Sequence, residues 1–225
     1  MKKTFYCLGL SLLLFGCSGD DKESTVNEAG IIANIKTTNF VSTTFPWNAI
    51  NTANGKLKRW DFENDGPIPV KTGNNALAIE AMDEIEAELG MIIFDRTSIA
   101  NTPNEEITRG MIVSVGTAIG PGGIVDSNTC GMVSGGIGTT SYPNGFYNEM
   151  GKINTVLYVH LSSAQCDSDL DVAIHEFGHA LGLGAHFKGF GDGPAINNNF
   201  WNVLFNIYTN NIGDTEQDLD INKIK

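Results

Sequence analysis

The stretch His175-Glu176-Phe177-Gly178-His179, followed by Gly182 and then His186, constrains this chain more than any other part of it. On an α-helix, positions i and i+4 share a face, so the spacing predicts His175 and His179 pointing at one common point. Imidazole suits zinc. Three protein ligands with a water in the fourth place form a catalytic rather than a structural site. His186 is the candidate third ligand. Glu176 stands beside the first ligand, where a carboxylate can take a proton from a zinc-activated water. HExxH alone recurs by chance. With a glycine and a third histidine within one more turn of chain, coincidence is far rarer.

Residues 175–183 resemble the zinc-binding helix of the metzincin metallopeptidases, in particular the matrixin-like members, whose pattern is HExxHxxGxxH. The resemblance implies an α+β fold: a metzincin-like zincin catalytic domain whose small twisted mixed sheet carries an upper helix, a zinc-binding helix and a C-terminal helix. It implies a zinc metalloendopeptidase with Zn2+ on His175, His179 and a third ligand, and Glu176 as general base. In that family the glycine ends the helix and turns the chain back to the metal. Here the usual third-ligand position holds Ala185, and the histidine comes one residue later at His186. Gly184 is an extra flexible residue where the turn can absorb the addition. Asp192, in the loop that follows, is the rival ligand. The family also implies a methionine-bearing turn below the zinc, yet no Met follows Met150. Another apolar residue fills that place, or the C-terminal part is built differently.

The N-terminus is a targeting segment. Lys2 and Lys3 precede an apolar run over residues 5–15, too short for an ordinary transmembrane helix, and Leu14-Phe15-Gly16-Cys17 closes it. This ending resembles a bacterial lipobox, which implies lipidation of Cys17. The acidic tract over residues 18–23 resembles the surface-export signals of Bacteroidetes lipoproteins, and it reads equally as a solvated tether. The expected organisation is therefore a signal over 1–17, a flexible tether over 18–45 with a short strand near 31–35, and a catalytic domain over 46–225 that starts near Trp47 or Trp60. Localisation follows as the bacterial outer membrane or cell surface, lipid-anchored. The net charge of −12 argues against a nucleic-acid partner, and the expected state is a monomer.

With Cys7 removed and Cys17 lipidated, Cys130 and Cys166 remain, and an oxidising compartment favours a disulfide between them. Neither is placed by motif as a nucleophile or zinc ligand. No cysteine lies between Cys17 and Cys130, so a matrixin-type cysteine switch has no residue there.

Along the rest of the chain, residues 68–71 read as a first strand after the turn at 64–67. The run Asp61, Glu63, Asp65, Gly66 lacks the closing Glu of a calcium loop, because Thr72 stands there, and it reads as a turn. Residues 74–89 form an amphipathic helix with Ala78, Ala81, Met82, Ile85 and Leu89 on its apolar stripe, a solvated acidic face and Gly90 as stop. Residues 91–94, 111–115, 130–134 and 155–161 read as strands. His160, inside the last of these, reads as a sheet histidine rather than a ligand. Ser168 with Asp171 looks like a capping box for the zinc helix. Residues 199–208 carry apolar side chains at helical spacing, with Tyr208 in the core. Residues 215–225 read as a polar tail.

Two functions compete. One is a zinc endopeptidase acting on protein or peptide substrate laid extended beside an edge strand. The other is a non-catalytic surface lipoprotein that retains the metal helix as scaffold. An intact Glu176 favours the first, because a structural zinc needs no base.

Overall fold

The computed structural model describes residues 27–41, 53–115, 129–135, 146–163, 165–193 and 196–223. The signal segment, Cys17, the acidic tract and Trp47 lie outside them, as does most of the glycine-rich region after residue 115.

Five strands form the central sheet. They are β2 (Ile68–Lys71), β3 (Phe94–Asp95), β4 (Gly110–Val115), β5 (Gly131–Gly135) and β7 (Val156–Leu161), in the order β3-β2-β4-β7-β5. The first four in that order run parallel, and β5 pairs antiparallel with β7 at the edge. Two short parallel pairs lie outside it: β1 (Arg59–Trp60) with β6 (Lys152–Ile153), and β8 (Phe187–Lys188) with β9 (Gly191–Asp192). Side chains of β7 alternate as a strand requires. Leu157, Val159 and Leu161 enter the main core with the helices, while Tyr158 packs with Ile107 and Ile112 in a second cluster. The segment at 91–94 is shorter as a strand than its apolar run suggests, since only Phe94 and Asp95 pair.

Helix α3 (Ala76–Leu89) follows the sequence expectation closely. The Asn75 side chain caps it by accepting from the Ala78 amide, and the five stripe residues are all buried. One residue of its acidic face does more than meet solvent. Glu86 Oε1 accepts from the Ile93 and Phe94 amides at 2.8 Å each, and its Oε2 meets Arg96, so it ties β3 to the helix. A four-residue helix, α2 (Phe62–Asp65), takes the place of the turn read at 64–67.

Two expectations are corrected. The segment over 18–45 is not a tether throughout, and 31–35 is not a strand. Asn27 caps α1 (Glu28–Ile35), which continues into one wider helical turn over Lys36–Phe40. Ile31, Ile35 and Phe40 enter the core, and α1 packs on α5 (Asn198–Thr209). The folded domain therefore begins well before Trp47 or Trp60.

The second correction is the C-terminal segment, polar by composition but held down. Asn206 Nδ2 donates to the Asn222 carbonyl at 2.6 Å, and its Oδ1 accepts from the Asn222 amide at 2.8 Å. Asn210 does the same for Asp220, at 2.9 and 2.7 Å. The match is geometric: four helical residues advance about 6 Å, and two extended residues advance about 6.5 Å. Asparagines at i and i+4 thus meet backbone groups at j and j+2, and Leu219 and Ile221 pack on the core.

Lys58 is fully buried, with Nζ donating to the Phe40 carbonyl at 3.0 Å and lying 5.6 Å from the Tyr147 ring centre. Burial lowers its pKa from 10.5 to about 7.

Two outcomes follow. Asn206→Ala should destabilise the fold by about 1–3 kcal/mol and accelerate amide exchange at Asn222. Unchanged protection there would show that the ladder does not hold the segment. Between pH 7 and 10.5 the unfolded chain binds the Lys58 proton and the folded chain does not, so stability should rise with pH across that window. Urea midpoints at pH 7 and 9.5 should show this rise, and Lys58→Met should flatten it. An equal slope in the variant would assign the effect to other groups.

Candidate metal centre

Helix α4 (Leu170–Ala180) carries both residues of the i, i+4 pair. Its cap is Asp169, whose side chain accepts from the Val172 amide at 2.9 Å. Ser168 is therefore not the cap. Its hydroxyl instead donates to the Cys130 carbonyl and accepts from the Ser162 amide at 2.6 Å.

The helix stops at Ala180, and Gly182 reverses the chain with φ +114°, a conformation that L side chains rarely adopt. Four residues later His186 returns to the ligand face. Ligand atoms of His175, His179 and His186 all lie within 4.8 Å of one another. Nε2 of His179 and Nε2 of His186 are 3.3 Å apart. Two nitrogens on one tetrahedral ion of zinc's bond length stand about 3.3 Å apart, so this pair has the spacing of a shared metal. The His179 Nδ1 lies 2.6 Å from the Leu183 carbonyl. A carbonyl can only accept, so Nδ1 carries the proton and Nε2 presents its lone pair to the centre. Three convergent imidazoles of this geometry can hold a metal ion.

The site is packed by aromatic rings on its buried side and exposed at His186. His179 is buried and His186 exposed. Phe190, fully buried, lies against all three rings, with centroid distances of 4.5 Å to His175, 4.8 Å to His179 and 5.6 Å to His186. Phe200 stacks behind it at 5.4 Å. Phe190 is thus the apolar residue packed against the three histidine rings. Burial lowers the pKa of His175 to about 4 and of His179 to about 3, with the neighbouring imidazoles adding to the effect. Both rings are thus held neutral, as metal ligation needs.

Glu176 is buried beside the ligands, and burial raises its pKa to about 8. The reason for its burial is the edge strand. A Cβ on Gly131 of β5 would lie 2.6 Å from Glu176 Cγ and 2.8 Å from its Oε1, so only glycine lets the strand approach the carboxylate this closely. Next to Gly131, the Cys130–Cys166 disulfide, with Cα atoms 4.9 Å apart, ties the start of β5 to the loop before α4.

The remaining candidates stand apart from the centre. Asp192 is exposed on β9 and does not join the histidine cluster. His160 is a sheet histidine, its Nε2 2.9 Å from Ser134 Oγ and its ring stacked on Tyr158. Tyr208 is in the core, and its hydroxyl donates to the Leu181 carbonyl at 3.0 Å. Comparison with protein-family models, with curated proteins and with solved structures finds no match to this chain.

His186→Ala should weaken divalent-metal binding by orders of magnitude in a chelator-competition titration, whereas Asp192→Ala should leave it nearly unchanged. The reverse result would put a carboxylate on the metal in place of the third imidazole.

Proposed function

We propose that this chain is a zinc-dependent endopeptidase of metzincin type, made as a bacterial lipoprotein anchored through Cys17 at the outer membrane or cell surface. The observation that carries the reading is the convergence of His175, His179 and His186 with Glu176 buried alongside them. The donor set fits zinc: three convergent imidazoles, one pair at tetrahedral spacing, and an open side at His186. Zinc, when bound there, supplies Lewis acidity toward a carbonyl and acidifies water.

The chain's own residues do the rest. Glu176 takes a proton from the attacking water and returns it to the leaving amine. Burial raises its pKa to about 8 in the metal-free chain, and the positive charge of a bound dication would favour the carboxylate form that takes the proton. Phe190 keeps water from below the histidines and fixes their rings, the place a methionine takes in the family. Strand β5 offers the substrate a template. Among the described strands only β7 pairs with it, and its backbone runs against Glu176. An extended peptide added along this edge would be read through main-chain hydrogen bonds. The sheet of four parallel strands with one antiparallel edge, followed by the ligand helix, supports the metzincin-type reading. The partner is accordingly a protein or peptide, and the acidic charge argues against nucleic acid.

Glu176→Ala should keep full zinc content and lose casein cleavage by at least about 100-fold. Cleavage at the wild-type rate would remove Glu176 as base. A zinc-loaded wild type that cuts no protein substrate would favour the non-catalytic binding lipoprotein.

A further inference from the structure

We propose that Asn39 and Tyr147 are positioning residues of the metal centre, holding the turn that carries His186 through the Gly182 carbonyl. The inference rests on the reading above only in taking His186 as a metal ligand.

The turn between helix α4 and His186 is short and steeply reversed, and a single carbonyl at its bend takes two donors. Asn39 Nδ2 reaches the Gly182 oxygen at 3.0 Å and Tyr147 Oη reaches it at 3.1 Å. Both side chains are buried, and Asn39 is fully so. The Asn39 amide is itself fixed, since Nδ2 also donates to the Lys58 carbonyl at 2.7 Å and Oδ1 accepts from the Lys58 amide at 2.9 Å. One residue earlier, the Thr38 carbonyl accepts from the Gly184 amide at 2.8 Å. The segment over 38–39 therefore grips the turn at two points, Gly182 and Gly184. Gly184 is also the residue that sets His186 one place beyond the usual spacing. The added residue is not slack: its amide is held by chain more than 140 residues away in sequence.

Other donors at this end serve a different purpose. Trp60 Nε1 bonds the Ala180 carbonyl and Tyr208 bonds Leu181, both closing the helix itself. Asn39 and Tyr147 act beyond the helix, on the span whose path decides where the His186 ring arrives. A ligand whose backbone is free to shift pays for its immobilisation when metal binds; one already fixed does not.

Zinc affinity would be measured by chelator competition for the wild type, Tyr147→Phe, Asn39→Asp and His186→Ala, and for each of the first two combined with His186→Ala. Tyr147→Phe removes one hydroxyl and keeps the ring. Asn39→Asp keeps the acceptor for the Lys58 amide and loses the donor to Gly182. Each should weaken zinc on the order of tenfold. Neither should weaken it further once His186 is alanine, because the two act through that ligand. The cobalt(II)-loaded Tyr147→Phe chain should also show a shifted visible spectrum, which a general loss of stability does not produce. If Asn39→Asp does not fold, Tyr147→Phe alone decides the matter. Wild-type affinity and an unchanged cobalt spectrum in folded Tyr147→Phe would overturn the proposal, as would an equal loss with and without His186. A wild type that binds zinc no better than His186→Ala would instead overturn the ligand assignment beneath it.

Discussion

The structure depends on how the end of one helix is satisfied. An α-helix leaves its last carbonyls without internal partners, and burying such a group unpaired costs about 1–3 kcal/mol. Helix α4 ends in the core, so this cost had to be met for several carbonyls at once. Trp60 and Tyr208 donate to the carbonyls of Ala180 and Leu181, and Tyr147, Asn39 and the candidate ligand His179 extend the pattern to Gly182 and Leu183 in the turn beyond. These donors come from the first short strand, the last helix, the segment before β6, the N-terminal segment and the helix itself. The turn that aims His186 is therefore held by parts of the chain distant in sequence.

The metal-ligand face was legible because it is local. Helical periodicity alone puts His175 and His179 on one side, and the glycine after them marks a reversal. Helix α3, strand β7 and helix α5 were legible for the same reason, since their apolar periods of 3.6 or 2 survive in the sequence. Residues 28–40 hid their role because Asn39 is a buried polar residue whose side-chain partners lie in other elements, so composition counts it as loop. The C-terminal segment is hidden likewise: its anchors are asparagines on a helix, which look like surface residues until the extended chain beside them is seen. Phe190 sat in a glycine-rich loop with no period to announce it, and only the packed histidine rings reveal its purpose.

The electrostatics of the centre follow from what surrounds it. Apolar packing against Phe190 and the core keeps His175 and His179 neutral, which leaves their lone pairs for a metal. The same desolvation raises Glu176, whose carboxylate lies against the backbone of an edge strand at Gly131. A glycine there, a disulfide one residue away and a serine bonded to the Cys130 carbonyl fix how closely that strand approaches. The strand proposed to align a substrate and the residue proposed to act on it are thus held by the same few contacts.

Everything proposed for the site rests on three imidazoles sharing one zinc despite the one-residue offset of the third. A crystal structure of the zinc-loaded chain, with anomalous diffraction recorded at the zinc edge, tests it most directly. One peak is expected about 2.0–2.1 Å from a ring nitrogen of each of His175, His179 and His186. In that structure His179 Nδ1 should still donate to the Leu183 carbonyl. A peak held by His175 and His179 alone, with His186 turned to solvent or Asp192 in its place, would contradict it.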